Sequence, residues 1–135
     1  MVAFRCYSPS STSRRGFHVW YDGLSPDFRS AVDVELELAG RDRTLEESGR
    51  FKALRRRCRG LIEILIDFET GPDDDGVREE IHIRILGFGT ADDFVLLFGF
   101  RKRGGPDYGP ACRSAHNRKR GVEHDERRAR PCRFP

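Results

Sequence analysis

No stretch of the chain approaches the ~20 consecutive apolar residues of a membrane-spanning helix, so no such span is expected. Residues 1–16 hold Arg5, Arg14 and Arg15 among Ser and Thr, without the apolar stretch of a secretory leader. The expected location is therefore the cytoplasm. No C-x-x-C pair occurs: Cys6, Cys58, Cys112 and Cys132 stand far apart in sequence, which excludes a zinc ribbon or a thioredoxin-like motif. In a reducing compartment these cysteines are expected as free thiols, although Cys6 and Cys132 lie near the two termini and are able to meet in space. There is no glycine-rich phosphate loop with its lysine, no G-x-G-x-x-G, no H-E-x-x-H and no G-x-S-x-G. His18, His82, His116 and His124 lack paired-ligand spacing. No metal and no cofactor are expected.

What remains is a short, highly charged chain. Its 135 residues fit a single domain, residues 1–135. Hydrophobic residues make up 37%, enough for a core, and charged residues 35%, above the usual ~25%. The net charge of +3 hides a segregation. Residues 50–59 (RFKALRRRCR) carry Arg50, Lys52, Arg55, Arg56, Arg57 and Arg59 with no acid between them. Residues 60–100 hold ten acidic groups against two basic ones, and residues 101–135 hold eleven basic groups against four acidic. Clustered Lys and Arg are the electrostatic footprint of a polyanionic partner.

Local pattern supplies the elements. Residues 2–7 (VAFRCY) read as a short strand, and residues 8–15 as a polar turn. Phe17, Trp20, Tyr21 and Leu24 recur at helical spacing. Ser25, Pro26 and Asp27 then read as cap, first-turn proline and first-turn acid. They open a second helix with Phe28, Ala31, Val32, Leu36 and Ala39 on one stripe, closed by Gly40. Residues 32–38 (VDVELEL) also alternate with period two, but both end signals favour helix. Residues 41–59 are expected as a loop with about one helical turn. Three strands follow, at residues 61–68 (LIEILIDF), 79–88 (EEIHIRILGF) and 94–100 (FVLLFGF), with turns at residues 71–76 and 89–93. The glycines and proline at 104–106 break the chain. Residues 104–135 form a basic, partly helical C-terminal segment, with Gly121 as a weak point. The expected fold is α+β: a small, mostly antiparallel sheet of about four strands, two N-terminal helices and a basic C-terminal helix, with the helices mainly on one face.

The candidate chemistry is cationic. Arg84 stands mid-strand opposite the face of Ile81, Ile83 and Ile85. Arg101, Lys102 and Arg103 follow the most apolar strand. Guanidinium and ammonium groups stabilise the extra charge of a phosphorane. Attack by a ribose 2′-hydroxyl then needs only proton transfers, which Tyr108 and His116 can supply. Arg84, Lys102, Arg101, Tyr108 and His116 are thus the candidate catalytic residues. Arg55, Arg56, Arg57, Arg103, Arg113, Arg118 and Lys119 are the candidate RNA-binding residues.

A family resemblance runs through these segments in order. Residues 20–24 (WYDGL) precede a helix; Leu54 is followed by residues 60–64 (GLIEI); then come residues 83–86 (IRIL), residues 95–102 (VLLFGFRK), and Pro110, Ala111, Cys112 and Ala115. Together, across about residues 2–120, the chain resembles the RelE/HigB-like toxin superfamily, including its phage-related members. The resemblance implies a toxin of a type II toxin–antitoxin pair, a ribosome-dependent, metal-independent mRNA endoribonuclease, with a cognate antitoxin, mRNA and the ribosome as partners. Its alternatives are a gyrase-inhibiting toxin of the ParE branch, which cleaves nothing, and an inactive prophage remnant. Arg84 matches the family's strand arginine and Lys102 its post-strand lysine. Leu65 stands where the family often carries a further arginine.

Overall fold

A computed structural model describes residues 2–9, 15–41, 49–91, 93–104 and 108–132. The polar turn expected at 8–15 and the chain break at 104–106 fall largely outside these residues, as does much of the loop expected at 41–59. Strand β1 (Ala3–Tyr7) leads to helices α1 (Phe17–Asp22) and α2 (Pro26–Arg41). Strand β2 (Phe51–Ala53) and a 3-10 turn (Arg56–Cys58) come next. Strands β3 (Ile62–Glu69), β4 (Glu80–Gly89) and β5 (Asp93–Arg101) then form a meander. Helix α3 (Gly109–His124), a second 3-10 turn (Glu126–Arg128) and strand β6 (Ala129–Pro131) complete the described chain.

The four-strand, mostly antiparallel architecture expected from the sequence does not fit. Among the described residues one sheet of six strands runs β2-β3-β4-β5-β1-β6, and β1 lies parallel to β5, with Phe4 opposite Phe94 and Cys6 opposite Leu96. Two strands escaped the sequence pattern because each is three residues long, too short for a period-two signal. Pro131 further argued against β6. The parallel pair joins segments about ninety residues apart, so no local turn announces it.

The helices are not confined mainly to one face either. Phe17 and Tyr21 of α1 and Val32 and Leu36 of α2 pack with Ile64, Ile66, Ile81, Ile83, Ile85 and Phe94. Ala111, Cys112, Ala115 and Val122 of α3 pack on the other side with Leu61, Leu86, Val95 and Leu97. The continuous apolar run of β5 follows from this, since its residues must be buried on both faces. Residues 32–38 are helical, and the Phe28 N–H donates to Ser25 Oγ at the helix start, but Gly40 lies inside α2 and does not close it. Gly121 does not interrupt α3.

A bulge sets which side chains of β5 face α3. Gly87 pairs with Leu96 and Leu86 with Phe98, so Leu97 is the extra residue. It shifts the alternation by one and leaves Phe98 and Phe100 on the α3 face.

The cysteines correct a second expectation. Cys6 is bonded to Cys132, with Cα atoms 5.0 Å apart, and Cys58 to Cys112, with Cα atoms 5.3 Å apart. The first bridge fastens the chain after β6 to β1, and the second fastens the turn Arg56–Cys58 to α3. Among the described residues no helix is long and apolar enough to cross a membrane.

Candidate functional site

Strands β3 and β4 bring a charged cluster onto the α3 face. Leu65 pairs with Arg84, Asp67 with His82 and Glu63 with Leu86. Arg84 therefore lies diagonally between two acids, within reach of both. Its Nη1 donates to Asp67 Oδ1 at 2.7 Å, and its Nε lies 3.9 Å from Glu63 Oε2. His82 Nδ1 sits 2.7 Å from the same Asp67 oxygen. Burial is deep: Arg84 is 6% exposed and Glu63 3%. Arg84 Nε and Glu63 Oε2 are buried and make no hydrogen bond, an arrangement that structural ion pairs avoid.

Tyr108, the residue before α3, interacts with this pair through its hydroxyl, with the Glu63 carboxylate first and the Arg84 guanidinium second. Its ring stands edge-on to Phe100, 5.2 Å away between centroids, and Lys102 Nζ lies 5.8 Å from its centroid. Burial, and then donation to Glu63, push the Tyr108 hydroxyl above its ordinary range, so it stays protonated. Burial alone would raise the Asp67 carboxyl. Hydrogen bonds from Arg84 and His82 outweigh that and hold it below the usual carboxylate range. Burial likewise lowers the Arg84 guanidinium, but Asp67 more than reverses it.

Three of the five candidate catalytic residues, Arg84, Lys102 and Tyr108, thus meet. Arg101 does not join them. It points to the opposite face, stacked 5.7 Å over Phe28 and bonded to Glu79, in a groove with Trp20, Leu24 and Arg103. His116 lies one helical stretch further along α3, its Nε2 2.9 Å from the Arg57 carbonyl. Glu63, Asp67 and His82 were missed as site residues. The signal was present: acids two positions on either side of Leu65, on the strand that precedes the one carrying His82 and Arg84.

The candidate RNA-binding residues divide as well. Arg55, Arg56, Arg57 and Arg113 are exposed on or beside the α3 face, and Arg103 is exposed near Trp20 on the other. Arg118 turns inward. Its Nη1 donates to the Leu97 carbonyl at 2.7 Å, between the rings of Tyr7 and Phe98, where burial lowers its pKa. Lys119 donates to the Gly60 carbonyl at 2.9 Å and covers Phe88.

Comparison of the chain with protein-family models, curated proteins and solved structures finds no match.

Proposed function

We propose that this chain is the toxin of a toxin–antitoxin pair and a metal-independent endoribonuclease. The observation that carries the reading is the meeting of Glu63, Arg84, Tyr108 and Lys102, from four segments, at one end of α3. These are the groups that transesterification of RNA requires. The Glu63 carboxylate takes the proton of the 2′-hydroxyl as its oxygen attacks phosphorus. The bond from phosphorus to the 5′-oxygen breaks, and the Tyr108 hydroxyl gives that oxygen a proton. Lys102 offsets the charge of the phosphorane. Arg84, compensated by Asp67, orients Glu63 and Tyr108. The products are a 2′,3′-cyclic phosphate and a 5′-hydroxyl. The exposed arginines at residues 55–57 draw the strand in, and the proposed partners are mRNA on the ribosome and a neutralising antitoxin.

One observation favours a second reading. Arg84 is compensated by two carboxylates, so the cluster lacks the strong excess of cations expected of a phosphodiester site. A toxin that blocks a protein target without cleavage would need no such excess. Induction of the chain followed by mapping of transcript ends separates the two. The nuclease reading expects new 5′-hydroxyl ends, with Glu63→Gln and Tyr108→Phe each lowering cleavage by about 10²-fold or more in folded protein. Growth arrest without new ends, unchanged in both variants, sinks it.

A further inference from the structure

We infer that the cleft between the turn Arg56–Cys58 and helix α3 is a phosphate-binding site. Its volume is about 240 Å³, and it is lined by Arg57, Gly109, Cys112, Arg113, His116 and Arg120. That is room for a tetrahedral oxyanion with a substituent leaving through the open side. Among the described residues, three guanidinium groups line it and no carboxylate does. Among the described residues, no acid lies within ion-pair distance of Arg57 or Arg113. Gathering three cations with no described acid beside them costs free energy that an oxyanion between them would recover.

The cleft is built rather than incidental. Arg113, His116 and Arg120 recur at helical spacing and share one side of α3. Arg57 comes from the facing turn, and three separate ties hold that turn to the helix. The Cys58–Cys112 bond joins their backbones. His116 Nε2 meets the Arg57 carbonyl at 2.9 Å, and since a carbonyl only accepts, Nε2 carries the hydrogen. Lys119 Nζ donates to the Gly60 carbonyl at 2.9 Å. Arg56 takes a left-handed φ of 56° within this turn, a conformation that costs a non-glycine residue about 1 kcal/mol or more. Arg120 is steadied by donation to the Asn117 side chain. Guanidinium forks match the oxygens of a phosphate bidentately, which a halide does not offer, and three cations suit the nearly double charge of a phosphomonoester better than the single charge of a carboxylate.

The site is separate from the Glu63–Arg84 cluster, although Tyr108 and Gly109 make the two neighbours in the chain. It holds whether or not the protein cleaves RNA. A phosphate group reaches it as a terminal phosphomonoester or as a backbone diester, and both present the same oxyanion chemistry.

The test is titration of the oxidised full chain with inorganic phosphate, followed by amide and arginine side-chain NMR. Saturable shifts confined to Arg57, Arg113, His116 and Arg120 are expected. Arg57→Gln and Arg113→Gln should each weaken binding about tenfold, and Arg78→Gln, in the distant β3–β4 hairpin, should leave it unchanged. RNA oligonucleotides with and without a 5′-phosphate identify the source. Binding that needs the 5′-phosphate supports a monoester, and equal binding supports a diester. Shifts that never saturate, or that spread equally to Arg78, overturn the site. Phosphate binding without RNA cleavage defeats the nuclease reading alone, and cleavage without phosphate binding defeats this site alone.

Discussion

Arg84 Nη1 donates to Asp67 Oδ1 at 2.7 Å across the β3–β4 pair, with the guanidinium buried and the carboxylate half-exposed. The pairing makes fold stability depend on pH in a stated direction. The Asp67 pKa is depressed in the folded chain. A depressed carboxylate adds stability above its unfolded pKa of ~3.9, and that stability is lost as pH falls through the folded value. Solvent screening of the half-exposed carboxylate limits the contribution to about 1 kcal/mol. Urea midpoints measured from pH 7 down to pH 2 should show this loss below about pH 4 in the parent chain. The acid loss should be smaller in Asp67→Asn, and identical curves for the two would contradict the assignment.

The neighbouring pair behaves differently because both partners are buried. Removing Arg84 leaves the Glu63 carboxylate, 3% exposed, with one cation fewer. Breaking a buried pair costs about 3–5 kcal/mol, whereas replacing both partners with apolar groups is often neutral. Arg84→Met alone should therefore destabilise the chain more than Arg84→Met combined with Glu63→Leu. Equilibrium unfolding of the two single variants and the double variant closes the cycle, and additive losses would show that the 3.9 Å approach carries no coupling. The same logic makes inactivity of an Arg84 variant a poor test of catalysis.

The residues of this cluster show what the sequence could and could not disclose. Period-two alternation placed Arg84 and His82 opposite the three isoleucines, and the structure keeps them there. Residues 61–68 read as a largely apolar strand, within which Glu63 and Asp67 share a face by period two. Only the register, Leu65 against Arg84, shows that acids and cation meet. Register is set by the hairpin and by burial on both sides, so the run of cations in the sequence does not disclose the carboxylates that meet Arg84. Arg101 and Lys102 were read together because they adjoin, yet successive strand residues point to opposite faces. The parallel β1–β5 pair and the three-residue strands β2 and β6 depend on contacts made far along the chain, and no window of sequence contains them.

Two glycines report how closely that sheet is covered. A Cβ on Gly87 would collide with the Val95 carbonyl and the Phe94 ring, and one on Gly99 would strike the Trp20 ring. The first obstacle includes neighbouring-strand backbone at the bulge, which cannot move without breaking the ladder. The second is a half-buried side chain, which adjusts its rotamer more readily than strand backbone moves. Overpacking of this kind costs about 1–3 kcal/mol. Gly87→Ala should lie at or beyond the top of that range and Gly99→Ala below it. Urea denaturation orders them, and a more stable Gly87→Ala than Gly99→Ala would contradict the β4–β5 register.

The disulfides yield the prediction with the widest consequence. Cys6–Cys132 closes a sequence separation of 126 residues and Cys58–Cys112 one of 54. In the chain-entropy picture each restricts the unfolded chain by about 4–5 kcal/mol, the longer loop slightly more. That is comparable to the whole stability of a small domain. Thiol alkylation of the native, non-reduced protein should label no cysteine, and alkylation after reduction should label four. Reductant should lower the melting temperature sharply, and the Cys6→Ser/Cys132→Ser and Cys58→Ser/Cys112→Ser variants should each show part of that loss. The second variant should also weaken phosphate binding, because its bond joins Arg57's turn to α3. Disulfides persist mainly in oxidising compartments, so the state in which the protein is isolated also tests the cytoplasmic expectation. Four free thiols with an undiminished urea midpoint would mean that hydrogen bonds and packing alone hold the turn and β6 in place.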